Sequence, residues 1–172
     1  KDFSNALKDL KDQDLIGLVI DLRNNSGGLL SNAINILDKL TDRGLNLLST
    51  RGRIEKSNRK MNSRRVPSIS PEIPIAVLIN QSSASASEIV AGVLQDLDRG
   101  VIVGEKSFGK GLVQSMYNLN DTTTLKVTTA KYYTPSGRII QKEDYLNNGF
   151  LTDGLDKKDS LFATRGGRQV RG

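Results

Sequence analysis

Two uninterrupted apolar runs, each followed by an amphipathic helix, constrain the fold of this chain more than any other feature. Leu15–Leu22 and Ile75–Ile79 are rich in Leu, Val and Ile and show no polar alternation, which is typical of strands buried on both faces of a parallel sheet. Apolar residues recur at helical spacing in Leu30–Leu40 and in Ala86–Leu97. This alternation predicts an α/β domain with a mainly parallel sheet and flanking helices.

The remaining sequence patterns indicate that residues 1–172 form one domain, and they contain no internal repeat. They predict a short helix at Phe3–Leu10, further strands at 45–49 and 101–103, and a C-terminal β segment with strands at 112–119 and 124–133. The segment 51–66 is predicted to be an excursion from the domain. Beyond Gln141 the apolar pattern fades, which indicates a weakly structured tail at 142–172.

The chain contains no histidine and no cysteine. This composition excludes a Ser-His-Asp triad, a cysteine nucleophile and the usual zinc and iron ligand sets. The base of any hydrolytic reaction must therefore be Lys, Asp, Glu or Tyr, and we expect neither a metal nor a cofactor.

The net charge of +6 is concentrated in one segment. Residues 51–65 carry seven basic side chains against Glu55, so the rest of the chain is neutral overall. No aromatic residues are interleaved with them, as base stacking would favour. We interpret the run as a solvated excursion and expect no nucleic-acid partner. No apolar run approaches the roughly 18 residues of a membrane span.

A serine-rich segment lies between the strand at Ile75–Ile79 and the helix that follows it. This is the junction at which open α/β sheets bind ligands, and Ser85 would lie there beside free N–H groups and the positive end of the helix dipole. Such surroundings suit a nucleophile whose attack creates an oxyanion. Ser85 and Glu88 also match the capping box S-x-x-E, so a purely structural role stays open.

The glycine-flanked Lys110 is the candidate base. A free lysine is almost fully protonated at pH 7, so a lysine base needs surroundings that favour its neutral form. Gln114 lies four residues further on and, on a strand, would share a face with Lys110 and orient it. The loop also matches G-x-x-x-x-G-K, but Gly111 replaces the Ser or Thr of a phosphate loop. An S-x-x-K match at Ser107 lacks the companion motifs of β-lactamases.

Four segments together resemble the carboxyl-terminal processing proteases, the tail-specific peptidases of family S41. They are Leu18–Gly28, Ser83–Gly92, Phe108–Gln114 and Thr128–Arg138. The resemblance runs in order from about Phe3 to Gln141. Ser82 stands where many relatives have glycine, and nothing in the chain resembles the PDZ domain that such proteases usually carry.

The resemblance implies a ClpP/crotonase-like core and cleavage near the C-termini of flexible or unfolded proteins. It implies Ser85 as nucleophile, Lys110 as general base and Gln114 as the residue that positions the lysine. The oxyanion hole would use backbone N–H groups of Gly28, or its neighbour Gly27, together with Ala86. Glu88 would be an auxiliary residue.

The family also implies a location in the periplasm or cell envelope, and it leaves self-association open. Two other functions remain. One is a non-catalytic peptide-binding relative whose site is never aligned. The other is a crotonase-like acyl-CoA enzyme, which would use an oxyanion hole without a serine nucleophile.

Overall fold

The computed structural model describes residues 2–141 and 160–171. The helices are α1 (Asp2–Lys11), α2 (Leu30–Leu40) and α3 (Ala86–Asp96), with one 3-10 turn at Glu55–Ser57. The strands are β1 (Leu18–Asp21), β2 (Asn46–Arg51), β3 (Arg59–Asn62), β4 (Ile75–Ile79), β5 (Val101–Gly104), β6 (Leu112–Asn118), β7 (Thr124–Tyr133), β8 (Leu161–Ala163) and β9 (Gln169–Arg171).

One sheet is wholly parallel and has the strand order β1-β4-β5. β4 lies in the middle and pairs with both neighbours in parallel. Its Val77 is fully buried in the same apolar core as Leu37 of α2 and Leu94 of α3. The predicted alternation of apolar strands and amphipathic helices is therefore present, and it brings the carboxyl ends of β1 and β4 to the same edge.

A second sheet has the order β3-β2-β7-β6, and all of its pairings are antiparallel. The expectation of a mainly parallel sheet thus applies to only one of the two larger sheets. It is wrong for β2, which pairs with β3 and β7. The short apolar run at Leu47 and Leu48, both fully buried, fits a strand of either direction, because burial alone does not determine pairing.

The basic segment 51–66 is more ordered than the predicted excursion. It contains the 3-10 turn and β3, which pairs with β2. Arg59 and Lys60 are exposed on this outer strand, where charged side chains hinder pairing with other chains. The sequence pattern missed β3 because its four residues, RKMN, contain only one apolar side chain.

The prediction of a weakly structured tail at 142–172 is wrong for its end, while 142–159 lie outside the described residues. β8 and β9 form a hairpin that contacts the C-terminal end of α3. Gly166 N–H donates to Asp98 Oδ2 at 2.6 Å, and Arg165 N–H donates to the carbonyl of Asp96 at 2.7 Å. This docking depends on contacts distant in sequence, which local patterns do not reveal.

None of the described helices is long and apolar enough to cross a membrane.

Candidate active site

Ser85 lies at the sharp turn between β4 and α3. Its backbone has φ 56° and ψ −114°, a conformation that L-residues other than glycine rarely adopt. Such strain persists where the surrounding structure enforces it and is frequent at functional sites. A serine on a strained strand-to-helix turn is also how α/β-hydrolases present their nucleophile. The half-buried Ser85 is thus placed as a nucleophile would be.

The neighbouring serines are engaged differently. Ser83 is fully buried, and its hydroxyl donates to the Leu22 carbonyl at 2.8 Å while accepting from Asn80 N–H at 2.9 Å. Ser83 therefore joins the end of β1 to the turn after β4, a structural role that its position in a serine run does not indicate. Ser87 is also buried, at 3 % exposed.

The loop after β1 is fastened against the Ser85 turn. The side-chain amide of Asn80 donates to Asn24 Oδ1 at 2.9 Å and its oxygen accepts from Asn24 N–H at 3.0 Å. Ala84 N–H donates to the Asn25 carbonyl at 3.1 Å. Asn24, Asn25 and Asn80 were not among the predicted site residues, although asparagines directly after buried strands are a signal for side-chain-stabilised turns.

Gly27 packs directly on this turn. A Cβ added to it would lie 2.6 Å from the Ala84 carbonyl oxygen and 2.8 Å from the Ala86 nitrogen, and its φ of 102° favours glycine. A Cβ on Gly28 would meet nothing within 4 Å. Glycine at position 27 is therefore required by the close approach of the two backbones.

The predicted oxyanion-hole residues differ in whether their backbone N–H groups are free to bind an oxyanion. Gly27 N–H already donates to Asn25 Oδ1 at 2.9 Å. Within residues 2–141 and 160–171, neither Gly28 N–H nor Ala86 N–H donates to a protein acceptor. Ala86 is the first residue of α3, whose N–H has no partner within the helix. The sequence did not decide whether Gly27 or Gly28 contributes to the oxyanion hole, and of the two Gly28 has the available N–H.

The buried carboxylate of Glu88, 4 % exposed, joins the Ser85 turn to the lysine loop. Its Oε2 accepts from Ser85 N–H at 2.7 Å and from Lys110 N–H at 2.8 Å. Its Oε1 accepts from Gly109 N–H at 2.6 Å and from the Ser107 hydroxyl at 2.7 Å. The Ser85–Glu88 bond is the carboxylate half of the predicted capping box, but the three bonds to the loop exceed what a helix cap needs.

Lys110 lies beside Ser85 through its backbone, whereas its side chain is exposed. The Ser85 and Lys110 nitrogens share one carboxylate oxygen, so they lie within the summed length of two hydrogen bonds. In the described part of the chain no hydrogen bond joins Lys110 Nζ to Ser85 Oγ. The amine of Lys110 is therefore not aligned with the serine hydroxyl in this structure.

The argument that placed Gln114 and Lys110 on one face of a strand does not hold. β6 begins at Leu112, so Lys110 lies in the preceding loop, to which the alternation of side chains along a strand does not extend. Gln114 is exposed, and within the described residues no hydrogen bond joins its side chain to Lys110.

The model of peptidase family S41 matches residues 1–149. The chain belongs to family S41. This match covers Ser85, the glycine loop and Lys110, the elements that Glu88 and the asparagines hold together.

Curated relatives agree with the family. The chain is 46% identical over 144 residues to a carboxy-terminal-processing protease of Bartonella bacilliformis, covering 81% of this chain and 33% of that protein. It is 44% identical over 138 residues to a chloroplastic C-terminal processing peptidase of Tetradesmus obliquus, covering 80% and 29%. The chain thus spans about a third of the length of these relatives.

Solved structures agree with the fold. A photosystem II D1 C-terminal processing protease superposes with a TM-score of 0.70 at 40% identity, over 80% of this chain and 35% of that one. An S41 protease from Bacteroides fragilis superposes with a TM-score of 0.66 at 20% identity, over 80% and 38%. Both the helices and the parallel sheet therefore belong to an architecture that S41 proteases share.

Proposed function

We propose that this protein is a serine endopeptidase that cleaves flexible or unfolded protein substrates near their C-termini by a Ser-Lys mechanism. The observation that carries the proposal is the strained Ser85 turn at the start of α3, packed against the Gly27–Gly28 loop, in a chain of family S41. The processing of C-terminal segments named for its relatives supplies the substrate class.

The chemistry follows from these positions. Neutral Lys110 Nζ accepts the proton of Ser85 Oγ as the oxygen attacks the scissile carbonyl carbon. The carbonyl oxygen becomes an oxyanion, which the N–H groups of Gly28 and Ala86 stabilise. The C–N bond then breaks and the proton passes from Lys110 to the leaving amine. Water, activated by the same lysine, hydrolyses the acyl-enzyme and regenerates Ser85.

We assign positioning roles to two further residues. Glu88 holds the backbones of Ser85 and Lys110 on one carboxylate oxygen, which fixes where the base and the nucleophile can meet. Gln114 is proposed to orient the lysine amine when the flexible four-carbon stem turns toward Ser85. An uncharged amide does this without adding a negative charge that would favour the protonated lysine.

A second candidate function is peptide binding without catalysis. The exposed side chain of Lys110, which has no hydrogen bond to Ser85 Oγ in the described part of the chain, favours this alternative, because an unaligned base leaves the serine hydroxyl unactivated. In this case the site would hold a peptide and leave it intact.

One experiment distinguishes the two functions. The full-length protein is incubated with a reporter protein that has an unstructured C-terminal tail, and mass spectrometry measures the rate at which the tail is cleaved. We expect Ser85→Ala and Lys110→Ala to lower the rate at least about a thousandfold. Ser82→Ala and Lys106→Ala, which remove an exposed hydroxyl and an exposed amine nearby, should retain the wild-type rate. Wild-type rates in the first pair would refute the protease assignment.

We further propose that residues 1–172 are one S41 core of the ClpP/crotonase type. The parallel sheet, which shares one apolar core with α2 and α3, supports this assignment. The periplasm or cell envelope is the proposed location, in keeping with bacterial relatives that process C-termini.

A further inference from the structure

Residues 51–59, which we call the basic loop, run from the end of β2 to the start of β3 and present an apolar side chain among basic ones. Ile54 in this loop is 62% exposed. Glu55 is the only acidic residue of the loop, so four basic side chains against one carboxylate leave a net charge of +3. The four basic side chains, all exposed, are those of Arg51, Arg53, Lys56 and Arg59.

Hydrogen bonds hold the basic loop in a defined conformation. Ser57 N–H donates to the Ile54 carbonyl at 2.8 Å, and Gly52 N–H donates to Asn58 Oδ1 at 2.9 Å. The Thr50 hydroxyl donates to the Ser57 carbonyl at 2.6 Å, which ties the loop to β2. The exposure of Ile54 is therefore built into the loop, and a ligand would meet this side chain already in place.

The fold does not neutralise the charges of the basic loop. In the described part of the chain none of its four basic side chains forms an ion pair, whereas Arg65 further on pairs with Asp38 at 3.5 Å. Arg51 lies over the ring of Tyr133, 4.6 Å from its centroid, and directly opposite Lys131. Like charges opposite one another on neighbouring strands are destabilising. The excess positive charge is therefore a cost that a bound anionic surface would offset.

The composition of the basic loop distinguishes among anionic partners. Proteins bind single-stranded nucleic acid by combining basic side chains with aromatic side chains on which the bases stack, and residues 51–59 contain no aromatic residue. An acidic protein would attract the charges but would bury Ile54 only if it offered a matching apolar pocket. An anionic lipid surface supplies both features, because its phosphates attract Lys and Arg and its acyl boundary accepts a protruding apolar side chain.

We propose that the basic loop binds the surface of a bilayer rich in anionic phospholipid, with Ile54 inserted at the boundary between headgroups and acyl chains. Lys131 pairs with Arg51 of the loop on one side and with Leu112, the first residue of β6, on the other. The loop therefore lies two strands, about 10 Å, from the end of the lysine loop, so a bound membrane would hold the candidate active site near its surface. The inference rests on the loop itself and is independent of the proposed protease function.

The first experiment measures binding to lipid vesicles by sedimentation. The full-length protein is mixed with vesicles of phosphatidylcholine alone or of phosphatidylcholine and phosphatidylglycerol in equal parts. We expect binding to the anionic vesicles only, weakened by salt and weakened about thirtyfold by Arg53→Gln combined with Lys56→Gln. The matched control combines Lys8→Gln with Lys11→Gln, which removes two exposed charges of α1 and should bind as the wild type does.

The second experiment locates Ile54 relative to the lipid. Ile54→Trp and Ile16→Trp each add an indole to a chain that has no tryptophan, and the spectrum of the wild-type protein is subtracted. Ile16 is 90% exposed and lies outside the basic loop. With anionic vesicles we expect the indole at position 54 to emit at shorter wavelength and to be quenched by brominated acyl chains. The indole at position 16 should change in neither respect.

The outcomes distinguish a membrane from other partners. Equal binding of the wild type and the Arg53→Gln and Lys56→Gln double variant to anionic vesicles overturns the proposal, as does a spectral change at position 16 in place of position 54. Charge-dependent binding to poly-aspartate or to a single-stranded oligonucleotide, without binding to vesicles, assigns the loop to another polyanion and also overturns it. Thermal unfolding at the wild-type temperature shows that the variants are folded. Absence of reporter cleavage by the wild type would refute the protease and leave this inference intact.

Discussion

Ser85 and Lys110 donate their backbone N–H groups to the same carboxylate oxygen, Oε2 of Glu88, at 2.7 Å and 2.8 Å. The nucleophile turn and the lysine loop are therefore fixed relative to one another by a buried anion, independently of where the lysine side chain points. This arrangement separates two requirements of a Ser-Lys site. The backbone geometry is built into the fold, whereas alignment of the amine depends on a flexible side chain.

Replacing Glu88 should damage the site through its geometry. Glu88→Gln keeps the shape of the side chain but places an NH₂ group where two N–H or O–H donors point, so we expect about 2–3 kcal/mol lower stability. We also expect kcat to fall by a larger factor than KM rises. Urea unfolding and steady-state kinetics measure both. Glu105→Gln in the same loop, with an exposed side chain, should match the wild type; equal effects of both substitutions would contradict the positioning role.

The two glycines of the loop should respond differently to alanine. Gly27→Ala places a methyl group against the Ala84 carbonyl and the Ala86 nitrogen at a positive φ, so we expect a loss of about 1–3 kcal/mol or more in stability. Gly28→Ala meets open space and should unfold at the wild-type urea concentration. The account of this close approach is wrong if Gly27→Ala is as stable as Gly28→Ala.

A buried ion pair should hold the C-terminal end of α3. Asp96, 1 % exposed, accepts from Arg138 at 2.8 Å and from the Ser136 hydroxyl at 2.7 Å. Asp96→Ala leaves the guanidinium without its carboxylate partner, and we expect about 3–5 kcal/mol lower stability. The control is Asp42→Asn, which removes an exposed pair with Arg165 at 3.7 Å and should leave thermal unfolding unchanged. Similar melting of both variants would exclude a central role for Asp96.

Stability at high pH should depend on Tyr132. Burial raises the pKa of this tyrosine above its ordinary value of 10.0, because the ionised phenolate is poorly solvated there. The unfolded state then loses its proton first, so the contribution of Tyr132 is complete below pH 10 and declines as the pH rises above that value. The unfolding free energy of the wild type minus that of Tyr132→Phe should fall with pH in this range, and a flat difference would contradict the assignment.

Much of the fold follows from local patterns. The apolar run of β4 and the helical spacing of α3 predict elements whose observed bounds agree closely, whereas β1 covers only Leu18–Asp21 of the predicted Leu15–Leu22. Strand direction and partner are set by contacts between distant segments, so β2 was expected in a mainly parallel sheet and is antiparallel. The β8–β9 hairpin was missed because it is anchored by Asp96, the last residue of α3, and by Asp98 just beyond it, a relationship that no local window contains.

The candidate site shows the same division. The serine-rich junction after β4 and the glycine-flanked lysine are visible in the sequence, and the structure brings their backbones together. The engagement of Gly27 N–H by Asn25 and the donation of the Ser107 hydroxyl to Glu88 depend on backbone orientation, which residue type does not reveal. Lys110 likewise precedes β6, which begins at Leu112, so the strand alternation expected to place it on one face with Gln114 does not reach it.

The central claim is that Ser85 is a nucleophile activated by Lys110, and covalent labelling tests it most directly. The full-length protein is incubated with a fluorophosphonate, which reacts with activated serine hydroxyls, and the modified peptide is identified by mass spectrometry. We predict an adduct on Ser85 alone within the Ser82–Ser87 segment, formed far more slowly in Lys110→Ala. An adduct on another serine of that segment, or unchanged labelling of Ser85 in Lys110→Ala, would contradict the account.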